Sequence, residues 1–185
     1  MLMMRASTVQ VFLPALVYAM SLVGMFGISA LYHRPTWSPD AKRAMKRLDH
    51  SAIFVLIAGT ATPIFAIAMP PELGVKLLAT IWMLAAAGIA KCVIWVDSPK
   101  WVQTILYVCV GWFAGHNLSA IQAALGPGGF NCLLAGGVAY SVGGVIYGLR
   151  WPDPYPKHFG HHEIFHLLTI VGAALHFIAI QPLIR

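Results

Sequence analysis

His162 and His166 stand four residues apart. On a helix that spacing puts two imidazoles on one face, about 6 Å apart along the axis and within reach of one cation. His33, far away in the chain, offers a third imidazole. Three neutral imidazoles with no fourth protein ligand match a catalytic zinc site that keeps a position open for water, whereas structural zinc is usually closed by four ligands. Asp49 can hold that water and accept its proton, and Ser29 can donate to a ligand or to a substrate oxygen. Together His33, His162, His166, Asp49 and Ser29 describe a zinc-dependent hydrolytic centre, provided the fold brings them to one level.

The elements available to do so are membrane helices. The chain has 185 residues, 59% of them hydrophobic and only 10% charged, with a mean hydropathy of +0.75. So little polar surface cannot cover a soluble globule, and the composition reads as an all-α integral membrane protein. About twenty apolar residues cross a bilayer as a helix, so the length allows roughly six or seven crossings and no soluble second domain. A single multi-pass domain over 1–185 is expected. Six apolar runs, at about 9–33, 50–69, 74–96, 102–122, 130–149 and 162–183, predict a bundle of six transmembrane helices. Turn chemistry separates them: Arg34-Pro35 and Ser38-Pro39-Asp40, Met69-Pro70-Pro71, Asp97-Ser98-Pro99, Gly126-Pro127-Gly128-Gly129, and the run from Trp151 to Pro156. The fifth run carries Gly136, Gly137, Gly143, Gly144 and Gly148, a pattern for close helix packing in lipid.

The formal charge of +6 is scattered between apolar runs and forms no basic face for nucleic acid. It sets topology instead. With the first loop in the cytoplasm, that side holds Arg34, Lys42, Arg43, Lys46, Arg47, Lys91, Lys100, Arg150 and Lys157, nine of the twelve cations, leaving Arg5, Lys76 and Arg185 outside. The positive-inside rule then puts both termini outside and the protein in the plasma (inner) membrane. The first run is too long for a signal-peptide core and its cations follow it, so it reads as a retained span. Cys92, Cys109 and Cys132 sit in apolar stretches without paired or metal-type spacing and read as reduced packing residues. Nothing in the pattern sets an oligomeric state.

This topology sorts the ionisable residues by depth. His33 closes the first run, Asp49 and His50 open the second and His162 opens the sixth, with Ser29 and His166 one turn deeper. Charged groups inside a span cost roughly 2.5 to 3.5 kcal/mol on insertion scales, so such residues face the bundle interior with partners. The metal site is therefore expected at the cytoplasmic side. His116 and His176 lie about 21 Å deeper, too far to ligate the same ion, and are expected to face each other in a packing role. His50, His158 and His161 read as solvent or headgroup contacts, Lys91 as a snorkelling side chain, and Trp82, Trp95, Trp101 and Trp112 as interface belt or packing.

His162-Glu163-Ile164-Phe165-His166 also matches the H-E-x-x-H zincin signature, in which Glu163 would be the general base of an intramembrane protease. Such proteases generally take a third, carboxylate ligand from a later L-D-G element. Here Leu48-Asp49-His50 precedes the pair and lacks the glycine, so this alternative ranks second.

Several segments together resemble the hemolysin III family: Ser29-Ala30-Leu31-Tyr32-His33; Leu48-Asp49-His50-Ser51-Ala52-Ile53-Phe54, leading into Ile57-Ala58-Gly59-Thr60-Ala61-Thr62-Pro63; and Phe159-Gly160-His161-His162-Glu163-Ile164-Phe165-His166 with His176 downstream. Trp82 to Lys91 and Gly136 to Gly143 extend the likeness over nearly the whole chain. The resemblance implies kinship with the progestin and adiponectin receptors and the alkaline ceramidases, a superfamily of seven-helix membrane hydrolases taken to depend on zinc. Motif by motif it implies metal-site roles for Ser29, His33, Asp49, His162 and His166. Relatives often lack an acid at the position of Glu163, which counts against the zincin alternative. They usually carry one more helix before the Ser29–His33 motif, so the family pattern of seven is expected here with its first member missing, either because this is a shortened member or because Met1, Met3 and Met4 are internal residues of a longer chain.

The family name implies a further alternative, a pore-forming or membrane-perturbing protein acting in cytolysis. A channel needs polar stripes along whole helices, whereas here the ionisable groups gather at one end. A receptor-like protein whose zinc only staples helices is the remaining alternative. The expected function is hydrolysis of an amide or ester in a lipid-like substrate that enters from the surrounding membrane lipids.

Overall fold

The computed structural model describes residues 2–156 and 158–184, with side chains from Val9 onward. Lys157 and Arg185, and the side chain of Arg5, all counted in the charge argument, lie outside the described residues. The helices are α1 (Leu2–His33), α2 (Pro39–Pro63), α3 (Pro71–Ile94), α4 (Lys100–Gly111), α5 (Leu118–Leu149) and α6 (His161–Ile180). Among the described residues there is no strand beyond an isolated bridge between Tyr155 and Phe159. Among the described residues, five helical segments are long and apolar enough to cross a membrane. The protein is an all-α multi-pass membrane protein.

One of those segments, Lys100–Leu149, has 50 residues, which as a straight helix would be about 75 Å long against a hydrocarbon core of about 30 Å. It does not run straight. Gly126 adopts φ 68 and ψ 171, a conformation open to glycine, and Pro127 follows it. Across this break the chain doubles back: Thr104 lies against Gly144 and Gly148, and Trp112 against Gly137. Numbers fall on one arm as they rise on the other, so the arms are antiparallel. The two expected runs at 102–122 and 130–149 are thus both present inside one segment.

The chain divides into two compact units, with the boundary between Asp97 and Ser98. In the first, α2 begins at Pro39 rather than near residue 50. Ser38 is its N-cap, accepting the Ala41 N–H at 3.4 Å, Pro39 occupies the first turn and Asp40 supplies the acid favoured there. Ser38-Pro39-Asp40 is thus a helix start more than a loop, and Asp49 and His50 lie inside α2 instead of opening it. α1 and α2 approach closest at Gly59, where a Cβ would run into the Ser21 side chain. Ser21 turns its hydroxyl back to the Tyr18 carbonyl at 2.8 Å. Met25, Ala52 and Leu56 form the buried core beside it.

Pro63 cannot donate to the α2 ladder, and the chain passes into a π turn, Ile64–Ala68. α3 packs on α2 where Phe54 fills the space beside Gly88 and Trp82 Nε1 donates to Thr62 Oγ1 at 3.1 Å. At the other end of that contact Arg43 and Lys46 pair with Asp97 at 3.1 and 3.0 Å. The Lys46 hydrogen bond and charge hold the Asp97 carboxyl below the usual carboxylate range. The loops after α1 and after α3 therefore share one side, as the cation count requires.

In the second unit the small residues of α5 take the side chains of both neighbours. Gly137 receives the Trp112 ring, whose Nε1 donates to Ser141 Oγ at 2.8 Å. On the α6 side, Gly136 faces the His176 ring, Gly143 faces Phe165 and Leu168, and Gly172 of α6 faces Tyr140. The glycine pattern thus serves packing, as expected from the sequence.

Candidate metal centre

The start of α6 is fixed locally. Glu163 Oε2 accepts the Gly160 N–H at 2.8 Å, and Asp153 Oδ1 accepts the His161 N–H at 2.8 Å while facing His161 Nδ1 at 3.2 Å. The backbone bond from His161, and then its ring, hold the Asp153 carboxyl below the usual range. One turn of helix then brings His162 Nε2 and His166 Nε2 to 3.1 Å, with the rings edge to face at 89°. Both rings are half-buried. Two zinc ligands at 2.0–2.1 Å in a tetrahedron stand about 3.3 Å apart, so the pair matches one edge of such a site. Tyr147 packs on the His162 ring and Phe165 on the His166 ring, with centroids 5.9 and 5.4 Å apart. This is a histidine cluster able to bind a metal.

In the first unit, Ser29 and His33 share a face of the last turns of α1. The Ser29 side chain hydrogen-bonds the half-buried Asp49 carboxylate from α2, and His33 is close enough for its charge to act on that carboxylate. Tyr32 stands edge-on to the His33 ring at 4.6 Å. His33 itself is exposed. Ser29, expected to bond a ligand or a substrate oxygen, instead bonds Asp49. The structure thus gathers the five candidate residues into two groups: Ser29, His33 and Asp49 in one unit, His162 and His166 in the other.

The family model described as haemolysin-III related matches residues 1–177. The chain belongs to this family. It is 35% identical to Hemolysin-3 of Bacillus cereus over 165 residues, which are 89% of this chain and 72% of that protein. A Hemolysin-3 homolog of Bacillus subtilis (strain 168) is 33% identical over 89% of this chain and 74% of its own length. More distantly, the monocyte to macrophage differentiation factor of Homo sapiens is 24% identical over 90% of this chain and 68% of its own length. No solved structure matches.

The other polar residues of this haemolysin-III-related chain separate from the two groups. His176 Nε2 meets the Leu133 carbonyl at 3.0 Å and its ring stands edge-on to Tyr140, while His116 is exposed. His176 thus has the packing role expected of it, on α5. His161, expected in solvent, is the partner of Asp153. Lys91 extends over the Trp95 ring at 5.8 Å. Sequence reasoning missed the role of Glu163 at the α6 start, although an acid three residues after Gly160 is a recognisable capping position. It also missed Asp153, which lies in the loop before α6 where no periodic signal marks it.

Proposed function

We propose that the chain is a zinc-dependent hydrolase of the plasma membrane, cleaving an amide or ester of a lipid-like substrate, with 1–185 acting as one multi-pass domain. His33, His162 and His166 would hold one zinc ion at the cytoplasmic side, each offering one imidazole nitrogen. The observation that carries this reading is the 3.1 Å approach of two imidazole nitrogens, the donor chemistry and spacing of a zinc edge. When bound there, zinc supplies Lewis acidity, polarising a carbonyl and bringing the pKa of water to about 7.

The chain's own residues divide the remaining work. An Asp49 carboxylate oxygen accepts the proton of the attacking water and returns it to the leaving group. Ser29, bonded to Asp49, is a positioning residue that aims the carboxylate. Glu163 is a poor general base because its carboxylate already accepts the Gly160 N–H, and this disfavours the zincin alternative.

Metal analysis and turnover of purified protein test the proposal together. Near-stoichiometric zinc is expected, falling sharply in His33→Ala and His162→Ala and persisting in His116→Ala and His176→Ala. Against a panel of ceramides, acyl amides and phospholipids, Asp49→Asn should lose turnover and Glu163→Gln should keep it. Unchanged zinc in both ligand variants sinks the site. Absence of turnover with every lipid, alongside ion leakage from liposomes, replaces hydrolysis with pore formation.

A further inference from the structure

The first turns of α2 carry charge that the metal centre does not use. Arg43, Lys46 and Arg47 follow one another within about one turn, and Lys91 of α3 lies close enough to Lys46 for their charges to repel. The acid among them is Asp97, paired with Arg43 at 3.1 Å and Lys46 at 3.0 Å and within the field of Arg47. Asp49 is turned to Ser29 and His33, and Asp40, a turn before Arg43, makes no ion pair among the described residues. Arg43, Lys46 and Arg47 therefore share the Asp97 carboxylate.

Two further features say what would complete this cluster. The Arg47 Nε–H is buried and has no hydrogen-bond acceptor among the described residues, and a buried charged donor of that kind calls for one. Immediately beside the cations stand exposed apolar side chains: Leu48 at 51%, Val93 at 49%, Ile94 at 83% and Trp95 at 52%. An anion with oxygen acceptors satisfies the first feature, and an acyl chain covers the second.

We propose that the end formed by the start of α2 and the end of α3 binds an anionic phospholipid, whose phosphodiester oxygens accept the Arg47 Nε–H and share Arg43 and Lys46 with Asp97. Free phosphate offers the same oxygens, but it leaves the apolar rim bare. Trp95, beneath the Lys91 ammonium, sits where an indole commonly marks the headgroup level. Basic groups at a membrane surface attract anionic lipid, and here an unsatisfied donor adds a directional contact to the general attraction.

Native mass spectrometry of the full chain in detergent, titrated with phosphatidylglycerol, phosphatidylcholine or inorganic phosphate, tests the proposal. One retained phosphatidylglycerol per chain is expected, in preference to phosphatidylcholine. Arg43→Gln and Arg47→Gln should each weaken it about five-fold, whereas Lys76→Gln, near the other end of α3, should not. Asp97→Asn removes the competing carboxylate and should tighten binding, a change opposite in sign to simple damage of the fold. Equal retention of the two lipids, equal weakening by Lys76→Gln, weaker binding in Asp97→Asn, or inorganic phosphate binding as tightly as phosphatidylglycerol would each overturn it. Zinc content is measured in parallel and should be unchanged, since none of these residues belongs to the metal centre.

Discussion

The two groups of candidate residues are built in different ways. His162 and His166 come from one helix, and their 3.1 Å approach follows from four-residue spacing once α6 is started by Glu163 and Asp153. Ser29, His33 and Asp49 come from two helices and exist as a group only because α1 and α2 cross in one register. Gly59 lies on Ser21, Ala52 and Leu56 pack with Met25, and Asp49 meets Ser29, so one antiparallel contact sets all three. The His162–His166 edge of the metal site is a local property, while the proton acceptor, like the proposed third ligand His33 on α1, depends on tertiary packing. The two should therefore be separable by mutation.

The largest separation is expected in metal affinity. Removing a ligand, as in His162→Ala or His166→Ala, should weaken zinc binding by well over 100-fold, whereas Asp49→Asn and Ser29→Ala should cost about 10- to 100-fold at most, the range for groups that only support ligands. Competition with a chelator of known affinity measures both. A loss in Asp49→Asn as large as in His162→Ala would make Asp49 a ligand and erase the distinction.

Packing offers the next test. Gly59→Val forces a side chain into Ser21 and should destabilise the first unit by about 1–3 kcal/mol, separating Asp49 from Ser29 without touching α6. Thermal melts should fall, and zinc affinity should drop no further than in His33→Ala, because the His162–His166 pair on α6 is left intact. Gly27→Ala is the control, since nothing lies within 4 Å of a Cβ there, and should stay within about 0.5 kcal/mol of the parent. A smaller effect is expected from Glu163→Gln, which weakens a charge at the α6 N-terminus worth about 0.3–1 kcal/mol. It should lower helix stability slightly and leave zinc in place.

Local physics decided what could be read from the chain. Apolar runs and the His162–His166 spacing are properties of single helices, and the six runs are all present. The start of α2 was misjudged because Lys42, Arg43, Lys46 and Arg47 interrupt hydropathy, although Ser38, Pro39 and Asp40 carry the capping signal. Hydropathy marks what enters lipid, whereas capping marks where a helix begins, and α2 extends beyond its apolar part. The Ser29–Asp49 bond, the anchoring of His176 on Leu133 and the Asp153–His161 contact were illegible because each joins residues whose spacing has no period. Only packing reveals them.

The smallest expected effect compares one acid from each unit. Asp97 and Asp153 both have folded pKa values below the ordinary carboxylate range, so each contributes stability that is fully present above its unfolded value, about 3.9. That contribution fades as pH falls from there and is lost through the lower folded value. The causes differ. Asp97 is held first by the Lys46 side chain, an exposed pair that salt screens, whereas Asp153 is held first by the His161 backbone N–H. In acid titrations at low salt, Asp97→Asn and Asp153→Asn should each remove part of the stability difference between pH 6 and about pH 3. At about 0.5 M salt, where screening lengths shrink to a few ångströms, the Asp97→Asn difference should largely vanish and the Asp153→Asn difference should remain. Hydrogen exchange at the His161 amide reads the second arm directly: acid should expose it in the parent, and Asp153→Asn should expose it already at neutral pH. Equal salt sensitivity of the two variants would show that both contacts are held by charge alone, and that the start of α6 is no more locally fixed than the tie between α2 and α3.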